Sequence, residues 1–116
     1  MRQARKLTVA LVLAFVLAAA IGAADTYTVT STGDNGAGTL RQAILDANAH
    51  PGSDDIHFAI TGSEVHTIAP ASPLPAMTGP GTIDGYTQTG ALANSNPTGQ
   101  GLNTVLKIEI DCTGAG

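Results

Sequence analysis

Three carboxylates in the second half of the chain are the residues whose type and spacing could support chemistry. Glu109 and Asp111 stand two positions apart, so both fall on one face of an extended strand, and Asp84 could join them from a neighbouring strand. Three carboxylates on one face could bind Ca²⁺ and, through the ion, an acidic polysaccharide. Ile108 and Ile110 alternate with them, and this alternation favours a solvated outer face over a calcium site.

Two histidines offer a second possible metal site. His57 and His66 would lie near each other if residues 56–68 formed a hairpin, but zinc takes three or four ligands and the sequence places no third one. Glycosidic cleavage needs two positioned carboxylates, and no such pair stands out from the sequence. We therefore assign no catalytic, cofactor-binding or metal-ligating residue and expect no cofactor.

For three other polar residues, both a structural and a functional role can explain the residue type. Tyr86 and Gln88 begin a long polar loop and could contact a sugar, although tyrosine is also common on loop surfaces. Arg41 falls inside a predicted helix, where pairing with Asp34 or Asp46 is the structural use.

One helix is predicted, and it has clear start and stop signals. Thr39-Leu-Arg-Gln42 is a capping box, in which the threonine hydroxyl accepts from the third helical amide and the glutamine reaches back. The sequence His50-Pro51-Gly52 ends the helix after about Ala49. Apolar residues repeat at helical spacing, at Leu40, Ala43, Ile44 and Ala47.

Short alternating segments predict strands on both sides of this helix. They are residues 25–31, 56–60, 65–68, 82–84 and 105–110. Asp54 and Asp55 are adjacent, would point to opposite faces of a strand, and fit the end of the helix-to-strand loop better. The polar stretch 85–104 predicts a long loop, which counts against an ordinary sandwich or barrel.

The first 24 residues have the three parts of a secretory signal peptide. Arg2, Arg5 and Lys6 supply the positive start, residues 7–21 the apolar run, and Gly22-Ala23-Ala24 the small-residue site. We expect cleavage after Ala24 and a secreted or cell-surface location. An uncleaved membrane anchor is the alternative.

The chain after residue 24 is strongly acidic. Arg41 and Lys107 are its only basic residues against nine acidic ones, which gives 2 − 9 = −7 with histidine neutral. Such a chain repels phosphate backbones, so nucleic-acid binding is excluded, and membrane contact is expected only through the signal peptide. Cys112 is the single cysteine and cannot form an internal disulfide.

Several motifs carry a family resemblance. Thr39-Leu-Arg-Gln-Ala-Ile44 and Thr82-Ile-Asp-Gly-Tyr-Thr-Gln88 are the more specific blocks, and residues 27–30, 72–75 and 108–111 accompany them. Together they resemble the beginning of secreted bacterial right-handed parallel β-helix proteins with pectate-lyase-like architecture.

The resemblance implies an all-β fold for residues 25–116. One short helix would cap the first coils of a right-handed parallel β-helix, and further coils would follow in a longer protein. Residues 82–85 and 109–112, 27 positions apart, would then be successive equivalents. A small antiparallel α+β domain is the structural alternative.

Two functions are compatible with these expectations. The first is a noncatalytic secreted or cell-surface β-helix module, adhesin-like or polysaccharide-binding, with an extracellular polysaccharide or surface glycan as partner. The alternative is the N-terminal part of a polysaccharide lyase or glycoside hydrolase whose active site lies on later coils. One scaffold can carry both functions, so the fold does not choose between them.

Overall fold

A computed structural model of the chain describes residues 22–116. The predicted signal peptide lies outside this part, apart from its last three residues, Gly22 to Ala24. These three residues have no regular secondary structure, and Ala23 and Ala24 are exposed. Within residues 22–116, no helix has both the length and the apolar character that crossing a membrane requires.

One α-helix and five strands make up the regular structure of residues 22–116. In chain order they are β1 (Thr26–Val29), α1 (Leu40–Ala49), β2 (Asp54–Phe58), β3 (His66–Ile68), β4 (Gly81–Asp84) and β5 (Ile108–Ile110). A short 3-10 turn, Gly85–Thr87, follows β4 directly. The predicted helix is confirmed, and each predicted strand region overlaps a strand, although three of the five strands are shorter than expected and β2 and β4 begin earlier.

Helix α1 begins with half of the predicted capping box. The Thr39 hydroxyl accepts a hydrogen bond from the Gln42 backbone N–H at 3.2 Å. The Gln42 side chain does not reach back and instead donates to Asp46 Oδ1, one turn along the helix, at 2.8 Å. At the other end, the His50 backbone N–H donates to the Ala47 carbonyl at 3.2 Å, and Pro51 follows.

The strands form two small parallel sheets. In the first, the order is β1-β2-β4, with Tyr27 opposite Ile56 and Ile56 opposite Ile83. In the second, β3 pairs with β5, with His66 opposite Ile108. Helix α1 is the crossover that allows β1 and β2 to pair in parallel.

The hydrophobic core joins the helix to both sheets. Its buried members are Val29, Leu40, Ala43, Ile44, Ile56, Phe58, Ile60 and Ile68. The helix supplies three of these residues and packs against β1 and β2. The predicted apolar stripe of α1 is therefore the face that covers one side of the core.

The predicted all-β fold is wrong, because the structure is mixed α/β and is not a β-helix. Successive coils of a β-helix add strands to the same sheets at similar intervals. Here Asp54 pairs with Gly81, 27 residues later, whereas His66 pairs with Ile108, 42 residues later. Neither sheet closes.

Two further expectations of the fold are also corrected. Residues 82–85 and 109–112 are not successive equivalents, because β4 and β5 belong to different sheets. The antiparallel α+β alternative is wrong as well, since all strand pairs of residues 22–116 are parallel. In that part of the chain, antiparallel pairing occurs only at the isolated bridge between Leu92 and Val105.

Candidate functional site

The three carboxylates do not converge on one face. Asp84 ends β4 in the first sheet, whereas Glu109 lies on β5 in the second sheet and Asp111 follows it. They accept hydrogen bonds from three different donors, namely Tyr86 N, Thr67 Oγ1 and Thr113 N. The bond from Thr113 lowers the pKa of Asp111. Within residues 22–116, no three histidine, cysteine or acidic side chains are grouped as metal ligands.

The two histidines are not brought together by a hairpin. His57 lies on β2 in the first sheet and His66 on β3 in the second, so the two strands do not form the hairpin on which the proximity of these histidines depended. His66 is buried, and its Nε2 lies 3.1 Å from the Gly62 carbonyl oxygen. Its ring is thus used inside the fold.

Gln88 is a structural residue, because the side chain that could have contacted a sugar is buried. Its side chain is buried, with Oε1 accepting from the Ile60 N–H at 2.8 Å and Nε2 donating to the Ile60 carbonyl at 2.7 Å. The side-chain amide therefore pairs with Ile60 as a strand backbone would. The surrounding segment lacks apolar periodicity, so no sequence pattern indicates this burial. Tyr86, two residues earlier, is 45% exposed.

Arg41 ties helix α1 to two loop segments. Its guanidinium pairs with Asp34 at 3.1 Å and donates to the carbonyls of Ser72 and Pro73, each at 2.8 Å. Of the two predicted partners, Asp34 rather than Asp46 is confirmed. The hydrogen bond from Arg41 lowers the pKa of Asp34, with a further contribution from a backbone N–H.

The sequence patterns do not predict the buried aspartate that contacts the start of the described chain. Asp54 begins β2 instead of ending the preceding loop, and its side chain is only 3% exposed. Its Oδ1 accepts from the Asp25 backbone N–H at 3.0 Å and lies 3.1 Å from His50 Nδ1. His50 Nε2 lies 3.3 Å from Asp25 Oδ2. This cluster ties the chain entering β1 to the end of α1.

The core is uncovered where each sheet ends at its last strand. Residues opposite each other in a parallel pair point to the same face, so Ile83 continues the row of Ile56, and Ile110 continues that of Ile68. Ile56 and Ile68 are buried, whereas Ile83 is 43% exposed and Ile110 is 41% exposed. The apolar rows of the core therefore extend onto the surface.

Strand β4 also presents backbone groups without strand partners. Among residues 22–116 it pairs only with β2, and the Asp54 N–H donates to the Pro80 carbonyl at 3.1 Å. Because successive residues of a strand direct their backbone groups to opposite sides, Gly81 and Ile83 direct their N–H and C=O groups away from β2. These groups line a free edge.

Strand β5 repeats this arrangement beside β4. In the part of the chain that the structure describes, it pairs only with β3. The Lys107 carbonyl accepts from the His66 N–H at 2.8 Å, so Ile108 and Ile110 direct their backbone groups away from β3. A Cβ on Gly85 would lie 3.8 Å from Ile108 Cβ, which places the end of β4 next to β5. We call residues 81–84 and 108–110 together the open end.

No protein-family model, curated protein or solved structure matches this chain. The open end is therefore the candidate site on geometric grounds: it combines exposed apolar side chains with free strand edges.

Proposed function

We propose that this chain is a noncatalytic secreted or cell-surface binding module with an adhesin-like role, and that it binds its partner through the open end. The observation that carries this proposal is the continuation of the buried rows of the core into the exposed Ile83 and Ile110. Apolar side chains beside unpaired backbone N–H and C=O groups are the features that recognise an added strand. Proteins otherwise cover or shorten such edges.

The partner is an extended peptide segment with alternating apolar and basic side chains. Apolar residues at every second position would contact Ile83 or Ile110, and the residues between them would point to the outer face. Asp84 lies on the outer face of β4 and Glu109 on the outer face of β5, each within its own sheet, and the chain after residue 24 carries a net charge of 2 − 9 = −7. Basic side chains at the alternate positions therefore complement the charge, whereas a second copy of this acidic chain is repelled.

The side-chain pattern and the backbone donors that the partner needs are tested with four synthetic peptides and the chain that begins at Asp25. The first peptide alternates isoleucine and lysine, the second alternates isoleucine and glutamate, and the third is a scrambled form of the first. The fourth is the first peptide N-methylated at every second residue, which removes the backbone donors of one edge. Fluorescence anisotropy should show binding of the first peptide and at least tenfold weaker binding of the other three.

Variants of the protein locate the binding surface. Ile83→Asp should weaken binding of the isoleucine–lysine peptide at least tenfold, whereas Leu102→Asp, on an exposed loop outside the open end, should leave it unchanged. Equal binding of the N-methylated peptide, or equal effects of the two substitutions, would refute strand addition at the open end. Sedimentation as a dimer that dissociates in Ile83→Asp would assign this surface to a second copy instead.

Glycan binding is the second candidate, and one observation favours it. The exposed ring of Tyr86 sits on a fixed turn, because Asp84 Oδ1 accepts from the Tyr86 N–H at 2.9 Å and Thr87 Oγ1 donates to the Asp84 carbonyl at 2.7 Å. A rigidly held aromatic ring with a polar tip can cover the apolar face of a sugar. Polysaccharide retention on an affinity gel that Tyr86→Ala abolishes would support this candidate. The enzyme alternative needs catalytic residues outside residues 25–116 and stays a prediction.

A further inference from the structure

The backbone nitrogen at the predicted cleavage point faces a buried carboxylate. The Asp25 N–H donates to Asp54 Oδ1 at 3.0 Å, and the Asp54 side chain is 3% exposed. The Asp25 carbonyl is also fixed, because it accepts from the Asp55 N–H at 2.9 Å. Asp25 is thus held at the edge of β2 through both of its backbone polar groups.

The surroundings of this nitrogen carry excess negative charge. Asp25 and Asp54 share His50 as a neighbour, at 3.3 Å and 3.1 Å. Desolvation raises the pKa of Tyr27, and the negative charges of Asp54, Asp25 and Asp46 raise it further. Helix α1 contributes one permanent cation, Arg41, which is engaged by Asp34 and two loop carbonyls. A cation close to Asp54 would therefore relieve repulsion among these groups.

We infer that signal-peptide removal completes this site: the α-ammonium group of Asp25, created by cleavage after Ala24, is the cation that pairs with Asp54. An endopeptidase hydrolyses the Ala24–Asp25 peptide bond with one water molecule. The hydroxyl stays on the Ala24 carbonyl carbon as a carboxylate, and the Asp25 nitrogen takes up protons to become an ammonium group. A neutral hydrogen bond to Asp54 becomes an ion pair.

The geometry needs no rearrangement for this conversion. The donor nitrogen of the amide and that of the ammonium group are the same atom, already 3.0 Å from Asp54 Oδ1. A charge-assisted hydrogen bond is about twice as strong as a neutral one, and the low exposure of Asp54 limits screening by water. Ala23 and Ala24, on the other side of the bond to be cut, are exposed. The inference rests on the predicted cleavage and is independent of any partner at the open end.

Three forms of the mature chain test it. The first begins at Asp25, the second retains Ala24 and so moves the cation about 3.8 Å along the chain, and the third begins at Asp25 with an acetylated α-amino group. Lys107→Arg in all three leaves the α-amino group as the only amine available for acetylation. Urea denaturation should give an unfolding equilibrium constant about tenfold lower for the first form than for the other two, the factor expected from exchanging a neutral for a charged donor.

The pH dependence of stability gives a second readout. An N-terminus that packs against the fold without forming an ion pair would not show this dependence. Pairing with Asp54 raises the α-amino pKa above its ordinary value of about 8. The added stability is therefore full below pH ~8 and is lost as the pH rises through the folded-state pKa. The chemical shift of the Asp25 Cα should report this raised pKa, and Asp54→Asn should return it to the ordinary value.

Several results would overturn the inference. If the chain that begins at Ala24 and the chain that begins at Asp25 were equally stable, the inference would be wrong. This comparison uses no substitution at Asp54, so it is valid whether or not Asp54→Asn folds. An Asp25 Cα titration at the ordinary pKa would overturn the inference as well. Sequencing of the exported protein that finds a first residue other than Asp25 would remove its basis.

Discussion

Gln88 offers the sharpest test of how this fold is held together. Strand β4 ends at Asp84. Beyond that point, side chains form the hydrogen bonds to the backbone at the end of β2 and just after it. Thr87 Oγ1 accepts from the Phe58 N–H at 2.7 Å, and the Gln88 amide then bonds both backbone groups of Ile60. Gln88 thus stands in for the next strand residue.

Gln88→Met keeps an unbranched side chain of similar length but removes both partners of Ile60. Each buried backbone group left without a partner costs about 1–3 kcal/mol, so we expect a loss of about 2–6 kcal/mol in the free energy of unfolding. For a urea m-value of roughly 1–1.5 kcal/mol/M, the midpoint should fall by about 1.3 M or more, or cooperative unfolding should disappear. Far-UV circular dichroism during urea denaturation measures this loss.

Gln42→Met is the matched control. The Gln42 side chain lies on the exposed side of α1 and bonds only Asp46, so its replacement should change the free energy of unfolding by less than about 0.5 kcal/mol. A Gln88→Met variant within about 0.5 kcal/mol of the parent chain would refute the idea that the buried amide completes the sheet. Equal losses in the two variants would point to a general effect of methionine instead.

Two other outcomes follow from the packing and charges. Hydrogen bonding from Arg41 lowers the Asp34 pKa. The contact therefore stabilises the fold above the ordinary aspartate pKa of about 3.9, and this stabilisation is lost as the pH falls through the folded-state pKa. A ¹³C carboxyl titration should show the lowered pKa of Asp34, and Arg41→Met should raise it. Ile44→Asp places a charge in the core and should cost at least about 3 kcal/mol in urea denaturation, whereas the neighbouring exposed Leu45→Asp should cost less than about 1 kcal/mol. Similar losses for the two aspartates would show that the stripe of α1 does not cover the core.

The sequence by itself determined the local elements, because local patterns specify them. The Thr39 cap, the apolar spacing of α1 and the His50-Pro51-Gly52 stop lie within a few residues of one another, and the structure confirms the helix from Leu40 to Ala49. Strand alternation likewise located the strands. The pairing of Arg41 with Asp34 could be predicted because these residues are only seven positions apart, on either side of the start of α1.

Only the tertiary structure decided how the strands pair and which polar residues are buried. Parallel partners such as Asp54 and Gly81, or His66 and Ile108, are separated by long and unequal stretches of chain, and no local pattern specifies such a register. Resemblance to a β-helix assumed equal coils, whereas packing produced two small sheets with a helix on one side. The burial of Gln88 and Asp54 depends on the same long-range contacts, since each bonds backbone groups that lie 28 or 29 residues away. Polar residues carry no local sign of such burial, because the backbone groups that satisfy them are supplied by distant parts of the chain.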